Sequence, residues 1–424
     1  MKGIYWFRND LRLNDNLSLN FALEELDEIL FVYVHDMENE KNCSWGFKKM
    51  SEHRKLFLSQ GLQELKKELK KFGHSLNEYV DDSVKILNML VQKYQINSIF
   101  CESNLAVDEI KKVKALKDKG INVNQMWQSS LYTEKQLPFS LEKLPNVFSV
   151  FRKAIESNEI KPNEPNKLTK EIFNVKPITD NELIFLKVDS KNYEKSSFPI
   201  SNENFKGGEK SGISYLINYF QTEKPKIYKE TRNDLMGEDF STKFSPWLAM
   251  GYISARQIFS YLENYENKVT KNKSTYWIFF ELLWRDYFRF SMIKNEENIF
   301  YMTDLNSSQK NINHDEIKFR LWTEGKTDDK FVNAGMIELK QTGFLSNRMR
   351  QIVASYLINE LDCDWRAGAA WFEFQLIDYD VYSNLGNWLY IAGFGADPRG
   401  GRHFNIEKQK KIYDPDSTYQ EFWN

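Results

Sequence analysis

Two kinds of hydrophobic pattern divide this chain of 424 residues, and they restrict its fold more than any other feature. Over residues 1–130, short apolar runs alternate with amphipathic stretches of helical period, of which residues 52–72 are the clearest. The apolar runs lie at residues 4–7, 29–35, 75–80, 98–101 and 123–126. Strand–helix alternation at this spacing predicts a Rossmann-like α/β domain with a parallel sheet.

Residues 131–211 have a different character. Prolines at positions 138, 145, 162, 165, 177 and 199 interrupt this segment, and Asn, Lys and Glu fill much of the rest. The pattern at residues 147–156 indicates a helix. Because so long a connection usually marks a domain boundary, we interpret residues 131–211 as an interdomain linker.

From residue 212 to residue 424 the pattern becomes helical and rich in tryptophan. Apolar residues recur at helical spacing over residues 274–293 and 343–361. The sequence therefore predicts a second, all-helical domain at residues 212–424.

Charge and cysteine content exclude several classes of protein. The formal net charge is −2, so a nucleic-acid site has to be a local basic patch. Three scattered cysteines (Cys43, Cys101 and Cys363) fit neither a disulfide framework nor a zinc cluster, and the histidines lack the spacing of metal ligands. No apolar stretch is long enough for a signal peptide or a membrane span. We expect a cytoplasmic protein without a metal or a membrane partner.

Polar and aromatic side chains share one face of a helical run, FFELLWRDYF. Glu281, Trp284, Arg285 and Phe288 are spaced i, i+3, i+4 and i+7. Taken alone, this pattern also fits a plain intrahelical ion pair beside a core tryptophan.

Two further segments carry polar groups on otherwise apolar helices. In GFLSNRMRQIVASYL one face presents Asn347, Arg350 and Gln351, with Arg348 offset. In LIDYDVYSNLGNW a helix would place Asp380, Asn384 and Trp388 at successive i+4 steps, with Asp378 just ahead. Such groups are costly to bury unless they are paired or face a polar ligand. Three segments of this kind predict a polar cofactor held among helices.

Six motifs in fixed order cover nearly the whole chain: YWFRNDLRLNDN, STKFSPWLAMGYIS, ELLWRDYFRF, TGFLSNRMRQ, LDCDWRAG and LIDYDVYSNLGNW. In these motifs the chain resembles the photolyase/cryptochrome family. YKETRND, GADPRGGRHFN and KIYDP favour its DASH branch, whose members are photolyases that prefer single-stranded DNA. The resemblance implies an α/β domain, a linker and a helical domain that binds FAD.

By motif match, the resemblance implies a set of residues around FAD: Tyr228, Ser241, Thr242, Lys243, Phe244, Ser245, Trp277, Glu281, Arg285, Asn347, Arg350, Asp378, Asp380 and Asn384. Hydroxyls and a cation suit a pyrophosphate, which needs hydrogen-bond donors. Arg350 and Asp378 are expected to form an ion pair beside the flavin ring. Asn384 is expected to face its central nitrogen, where an amide favours the anionic reduced flavin.

The activity implied by the resemblance is light-driven repair of cyclobutane pyrimidine dimers by an electron from excited reduced FAD. The residues expected at the lesion are Glu281, Trp284, Asn347, Gln351 and Tyr390. Gln351 and Tyr390 stand where duplex-repairing relatives carry Met and Trp. Losing a stacking platform costs about 1–3 kcal/mol per base, and flipping a base is cheaper from single strands. We therefore expect repair of single-stranded DNA.

Further expectations concern DNA phosphates, electron supply and an antenna. Arg232, Arg348 and Arg402 match positions that contact DNA phosphates. We expect the protein to be a monomer, and RNA stays open as a second partner. Trp388 and Trp365 match the first two members of an electron-transfer chain. Counted without gaps, the third position falls at Ile312, so either the alignment is shifted there or the chain ends at another Trp or Tyr. Glu109 matches the region that holds a folate antenna in some relatives.

Two other functions remain open from the sequence. The first is a non-catalytic blue-light receptor that uses the same flavin to switch partners. The second, which ignores the resemblance, is an α/β nucleotide-binding protein with a helical partner domain.

Overall fold

A computed structural model describes residues 1–168, 173–180, 205–237, 240–295, 313–394 and 401–424. Its amino-terminal part is a parallel sheet with the strand order β3-β2-β1-β4-β5. The strands are β1 (Lys2–Phe7), β2 (Glu28–Asp36), β3 (Leu76–Asp81), β4 (Ser98–Glu102) and β5 (Asn122–Met126). Each apolar run of the first 130 residues therefore forms a strand, and the prediction of a parallel α/β domain is confirmed.

Helices connect the strands and cover both faces of the sheet. They are α1 (Leu17–Glu25), α2 (Glu52–Lys71), α3 (Ser83–Tyr94) and α4 (Val107–Asp118). In β1, Tyr5 belongs to the core that contains Leu62 of α2, whereas Ile4 belongs to the core that contains Leu87 of α3. Because successive side chains of a strand point to opposite faces, a sheet covered on both sides needs continuous apolar strands.

The segment interpreted as a linker contributes to the domain it follows. It contains α5 (Phe148–Ser157), which confirms the predicted helix, and β6 (Lys176–Pro177). Strand β6 pairs with residues 28–29 of β2, ahead of the point where β3 begins to pair at Phe31. A strand of two residues that contains proline leaves no periodic signal in the sequence.

The carboxyl-terminal part is helical, as the sequence predicts. Its helices are α6 (Glu209–Phe220), α7 (Lys224–Thr231), α8 (Ser245–Ala249), α9 (Ala255–Lys268), α10 (Lys273–Lys294), α11 (Glu316–Glu324), α12 (Lys330–Thr342), α13 (Asn347–Asn359), α14 (Trp365–Gln375), α15 (Val381–Ala392), α16 (Ile406–Tyr413) and α17 (Thr418–Trp423). The expected helix of LIDYDVYSNLGNW is α15, and Asp380 caps it by accepting the Ser383 N–H at 2.8 Å.

The β1–α1 loop, residues 8–16, joins the two parts through buried polar contacts. Asp15 pairs with Arg256 of α9 at 3.0 Å, and their side chains are 1% and 3% exposed. Arg12 donates to the carbonyl oxygen of Gly251 at 3.0 Å. A buried charge is tolerated only when it is paired, so these contacts fix the loop against the helical part.

Two buried carboxylates extend this junction by accepting backbone N–H groups. Glu209 of α6 accepts from Leu13 at 2.7 Å and from Asn14 at 3.1 Å. Asp286 of α10 accepts from Leu131 at 2.8 Å and from Tyr132 at 2.9 Å. Glu209 therefore links α6 to the β1–α1 loop, and Asp286 links α10 to the start of the segment interpreted as a linker.

In the ranges that the structure describes, no helix is both long and apolar enough to cross a membrane. The same ranges contain no cluster of three or more His, Cys, Asp or Glu residues that could hold a metal ion. The three cysteines are free thiols.

Replacing Gly251 with alanine should destabilise the junction. Gly251 has a φ of +69°, and an added Cβ would lie 1.8 Å from the carbonyl oxygen of Asn9. Gly120 has a similar φ of +79° but no atom within 4 Å of such a Cβ. In both variants an alanine in the left-handed backbone conformation destabilises the fold by about 1–2 kcal/mol. Gly251→Ala is destabilised further by the clash of its Cβ with the Asn9 carbonyl oxygen. Urea unfolding should give the lower midpoint for Gly251→Ala, and equal midpoints would contradict this account.

Candidate functional site

A cavity of about 410 Å³ lies inside the helical part, and we call it the central cavity. Helices α7, α10, α13 and α15 and the loop before α8 line it. Most of the residues proposed from the sequence lie on its wall: Tyr228, Arg232, Ser241, Thr242, Lys243, Phe244, Ser245, Glu281, Trp284, Arg285, Asn347, Arg350, Gln351, Asp378 and Tyr390. Residues separated by up to 162 positions in the chain thus meet at one site.

A smaller space of about 80 Å³, the inner cleft, adjoins the central cavity. The two share Asn347, Arg350 and Asp378 as lining residues. The inner cleft also brings together the three positions proposed at i+4 spacing, namely Asp380, which caps α15, and Asn384 and Trp388 on that helix. The amide nitrogen of Asn384 donates to the Ala369 carbonyl at 3.0 Å, which orients this side chain.

Arg350 and Asp378 form the ion pair that the sequence predicts. One terminal nitrogen of Arg350 donates to both carboxylate oxygens, at 2.8 and 3.0 Å, and its Nε donates to the Leu345 carbonyl at 2.8 Å. The Asp378 side chain is only 2% exposed. Hydrogen bonds at both ends of the guanidinium hold it in one orientation on the cavity wall.

Asp380 pairs instead with Arg289, a buried residue that sequence reasoning missed. Burial alone would raise the pKa of Asp380, but the guanidiniums of Arg289 and Arg285 lower it below its ordinary value. Burial, reinforced by Arg289, lowers the pKa of Arg285 to about 9. The signal for Arg289 was its position four residues after Arg285 on the same helix.

The loop before α8 presents hydroxyl groups from an unusual backbone. Ser241 and Lys243 have φ values of +61° and +52°, a conformation that costs energy for residues with a side chain and that clusters at ligand clamps. The Lys243 ammonium donates to the carbonyls of Phe240 at 2.9 Å and Gly237 at 3.4 Å. This cation therefore braces the loop, while Thr242 and Ser245 also line the central cavity.

Glu281 and Arg232 form an ion pair at 2.5 Å on the wall of the central cavity. Burial raises the pKa of Glu281, and the Arg232 guanidinium offsets only part of this effect. Trp277 lies beside the pair, with the Arg232 guanidinium 5.2 Å from its ring centre and the Lys229 ammonium 4.7 Å away. Trp277 thus contacts Arg232, which lines the central cavity, but is not itself among the lining residues.

Trp284 stacks on Phe148, a second residue that the sequence did not signal. Their ring centroids are 3.7 Å apart with an interplanar angle of 14°. Phe148 comes from α5, in the proline-rich segment, and only the tertiary fold brings it to the cavity wall. The ring centroids of Tyr390 and Trp284 are 6.2 Å apart at an interplanar angle of 77°, so aromatic groups from three helices meet here.

The remaining two proposed phosphate-binding arginines lie one contact away from the cavity lining. Arg348 donates to Asn233 at 3.2 Å, and its guanidinium lies 5.9 Å from the ring centre of Phe404, which lines the cavity. Arg402 donates to the hydroxyl of Tyr390, and its guanidinium lies 5.1 Å from that ring. The offset of Arg348 from Asn347 and Gln351, which the sequence predicts, is present in the structure.

Glu109 lines a separate interdomain cavity of about 190 Å³. It forms ion pairs with Arg8 and, at 2.9 Å, with Lys112. Burial would raise the pKa of Glu109, but these two cations hold it at about 2. Glu102 also lines this cavity, and burial raises its pKa to about 8.

Trp365 lines a fourth space of about 300 Å³, the side cavity, together with Asn384 and Trp45. Trp388 lines the inner cleft and is not among the residues that line the side cavity. The third expected electron-transfer position, Ile312, lies outside the described residues.

Known proteins share both halves of this architecture. The family model described as DNA photolyase matches residues 3–167, and that of the FAD-binding domain of DNA photolyase matches residues 277–423. A cryptochrome DASH of Idiomarina loihiensis is 38% identical, over 99% of this chain and 92% of its own. The chain belongs to the DASH branch of the photolyase/cryptochrome family.

Other relatives agree with this assignment. A cryptochrome DASH of Xenopus laevis is 40% identical, over 98% of this chain and 81% of its own. The crystal structure of a Synechocystis cryptochrome superposes with a TM-score of 0.90 at 38% identity, covering 100% of this chain and 88% of that one. A class III photolyase of Agrobacterium tumefaciens gives a TM-score of 0.80 at 25% identity, covering 100% and 86%.

A photolyase/cryptochrome protein binds FAD, and the central cavity fits this cofactor. Its wall supplies hydroxyls from the strained loop at residues 241–245 for a pyrophosphate, and a buried ion pair from Arg350 and Asp378. The adjoining inner cleft adds amides and an indole from α15. Together these groups can hold a long ligand with charged and planar parts.

Removing the guanidinium of Arg350 should weaken both the fold and FAD retention. Arg350→Ala leaves the Asp378 carboxylate buried without its counter-ion, which typically costs about 3–5 kcal/mol. Arg348→Ala is a matched control, because it removes the same group from the same helix without leaving a buried carboxylate unpaired. Flavin absorbance per chain and thermal unfolding measure the outcome. If Arg350→Ala keeps its flavin and its melting temperature, the ion pair does not support the site.

Proposed function

We propose that this protein repairs cyclobutane pyrimidine dimers by light, preferentially in single-stranded DNA. When bound, reduced FAD supplies the chemistry, because its excited state donates the electron that splits the dimer. The observation that carries the proposal is the placement of Glu281, Trp284, Asn347, Gln351 and Tyr390 around one cavity. A carboxyl group, stacking surfaces and amides there can receive a flipped base.

Glu281 has the environment of a hydrogen-bond donor to the lesion. Burial favours the neutral carboxyl group by raising its pKa. A neutral carboxyl can donate to a dimer carbonyl as negative charge develops on it, and a preorganised donor in a buried site stabilises that charge. Arg232, within 2.5 Å of Glu281, adds a positive charge at the same wall.

The stacking surface supports the preference for single strands. Trp284 stacks on Phe148, so the protein already covers one face of this platform. Tyr390 provides a smaller ring than Trp, and Arg402 holds its hydroxyl group. Gln351 offers an amide in place of an apolar side chain. A weaker stacking platform offsets less of the free energy needed to flip a dimer out of a duplex.

Three arginines are suited to bind the flanking phosphates. Arg232 lies on the cavity wall, while Arg348 and Arg402 contact residues that neighbour or line it. Phosphate contacts position a nucleic acid without reading its sequence. This arrangement accepts a lesion in many sequence contexts, and RNA is a second candidate partner.

On the flavin side, Arg350 and Asp378 would lie beside the ring and Asn384 would face its central nitrogen. An amide has no acidic proton to give, so this environment favours an anionic reduced ring. A folate antenna would lie in the interdomain cavity near Glu109. We further propose that the protein acts as a monomer in the cytoplasm.

The preference for single strands can be tested with reduced protein under blue light on matched oligonucleotides. We expect repair of dimers in single strands and little repair in duplexes. The double variant Gln351→Met, Tyr390→Trp should raise duplex repair by restoring about 1–3 kcal/mol of stacking. Tyr390→Phe is the control that removes the hydroxyl without enlarging the ring. Equal repair of both substrates by the unmodified protein would refute the preference, and bound FAD without any repair would favour the receptor function.

Repair should fall as pH rises through the pKa of Glu281. Because burial raises this pKa, the neutral donor persists above the ordinary value of about 4.3 and is lost at higher pH. Glu281→Gln keeps a neutral donor at every pH, so its repair rate should not follow this titration. Glu281→Ala should be the slowest variant. An unchanged pH profile in Glu281→Gln would show that another group titrates.

A further inference from the structure

The electron-transfer chain expected from the sequence has no residue at its third position that can be oxidised. Its third position is Ile312, and an aliphatic side chain cannot give up an electron at the potential of an excited flavin. Electron supply to FAD in the central cavity, on which the proposed function depends, therefore needs another residue that can be oxidised and that meets the solvent.

The side cavity places one candidate near Trp365. Trp45, in the loop between β2 and α2, lines the same space as Trp365. Trp365 itself is buried, and among the described residues its indole N–H has no hydrogen-bond partner. A charged, oxidised indole is poorly stabilised there. Its ring neighbour at 6.3 Å is Phe394, whose phenyl group is much harder to oxidise.

A second line of aromatic rings also ends at Trp45. Trp388 contacts Phe372 with ring centroids 5.1 Å apart, and Phe372 stacks on Trp322 at 6.3 Å. Trp322 then stacks on Phe319 at 5.9 Å, and Phe319 lies 6.5 Å from Trp45. All of these separations are those of rings in contact. The phenyl rings act as bridges, and the indoles are the sites that can be oxidised.

Trp45 differs in its exposure from the other indoles of these two routes. Trp388, Trp365 and Trp322 are buried, whereas Trp45 is half-buried. Water can stabilise an oxidised indole and take its N–H proton, which prevents the electron from returning. The line of ring contacts from the inner cleft therefore ends at a residue with the properties of a terminus, and this residue also lines the same cavity as Trp365.

Tyr379 is a competing donor, since it lines the side cavity too. The Arg54 guanidinium lies 4.9 Å from the centre of its ring. A cation over an aromatic face is attracted to the electron-rich ring and opposes the removal of an electron from it. This contact disfavours Tyr379 relative to Trp45.

We propose that Trp45 is the terminal electron donor for photoreduction of the bound flavin. Trp388 gives one electron to the light-excited oxidised flavin. The oxidised Trp388 is then reduced by one electron from Trp45, which passes through Trp365 or Trp322. Trp45 then loses its N–H proton to water and becomes a neutral radical. A soluble thiol or ascorbate-type reductant returns one electron and is itself oxidised, while Trp45 regains a proton from water. Two such cycles supply the two electrons of full reduction.

Transient absorption after a light pulse on oxidised holoprotein tests this assignment. The unmodified protein should show a long-lived tryptophan radical whose decay accelerates with added thiol or ascorbate. Trp45→Phe should lose that long-lived radical, because the electron returns from the flavin to the oxidised buried indoles. Trp45→Tyr should recover a long-lived signal with the spectrum of a tyrosyl radical, which a purely structural role of Trp45 does not predict.

Matched variants control for packing and for the competing donor. Trp371→Phe removes a buried indole from the same aromatic cluster, and Tyr379→Phe removes the phenol of the side cavity. Both should keep the long-lived radical and its response to reductant. A normal radical in Trp45→Phe, or its loss in Tyr379→Phe alone, would overturn the proposal.

The outcome is separable from the repair activity. Repair measured after chemical reduction of the flavin does not use this electron route, so Trp45→Phe should repair dimers as well as the unmodified protein. Failure of repair in all variants with a normal Trp45 radical would refute the proposed function alone. Unaltered radical kinetics in Trp45→Phe with normal repair would refute the assignment of Trp45 alone.

Discussion

The buried pairing of the β1–α1 loop with the helical part is the constraint on which the rest of the structure depends. Asp15 with Arg256, and Arg12 with the Gly251 carbonyl, place charged groups where water cannot reach them. Such groups are stable only in one arrangement, since displacement leaves a charge or a donor unpaired. The helices that follow Gly251 are thereby positioned against the sheet. This includes α10, which carries Glu281 and Trp284.

The same principle shapes the central cavity and the inner cleft. Arg350 is held by Asp378, and Asp380 is held by Arg289, so their charges are already paired without a ligand. These parts of the site are therefore ordered before anything binds, which lowers the entropic cost of holding a cofactor. Glu281 is the exception, because burial outweighs its partner Arg232 and leaves its pKa raised. An acid of this kind is suited to donate a hydrogen bond.

Aromatic packing in the helical part also forms a continuous series of rings that leads to the surface. Rings in contact run from Trp388, in the inner cleft, to Trp45, at the edge of the amino-terminal domain. They stabilise the core as any aromatic cluster does. The same contacts couple the cleft electronically to the surface, so the packing of a loop between β2 and α2 bears on chemistry in the other domain.

The features of this fold that depend on local pattern can be predicted from the sequence. The strands, the long helices and the shared faces of Glu281 with Trp284 and of Asn347 with Arg350 follow from periodicity, because side-chain direction repeats every two or 3.6 residues. Contacts between distant segments carry no such signal. Only the tertiary structure paired β6 with β2, stacked Phe148 on Trp284, joined Arg289 to Asp380 and brought Trp45 to the same cavity as Trp365. Each of these depends on how whole elements pack, and that is decided by burial and charge pairing across the fold.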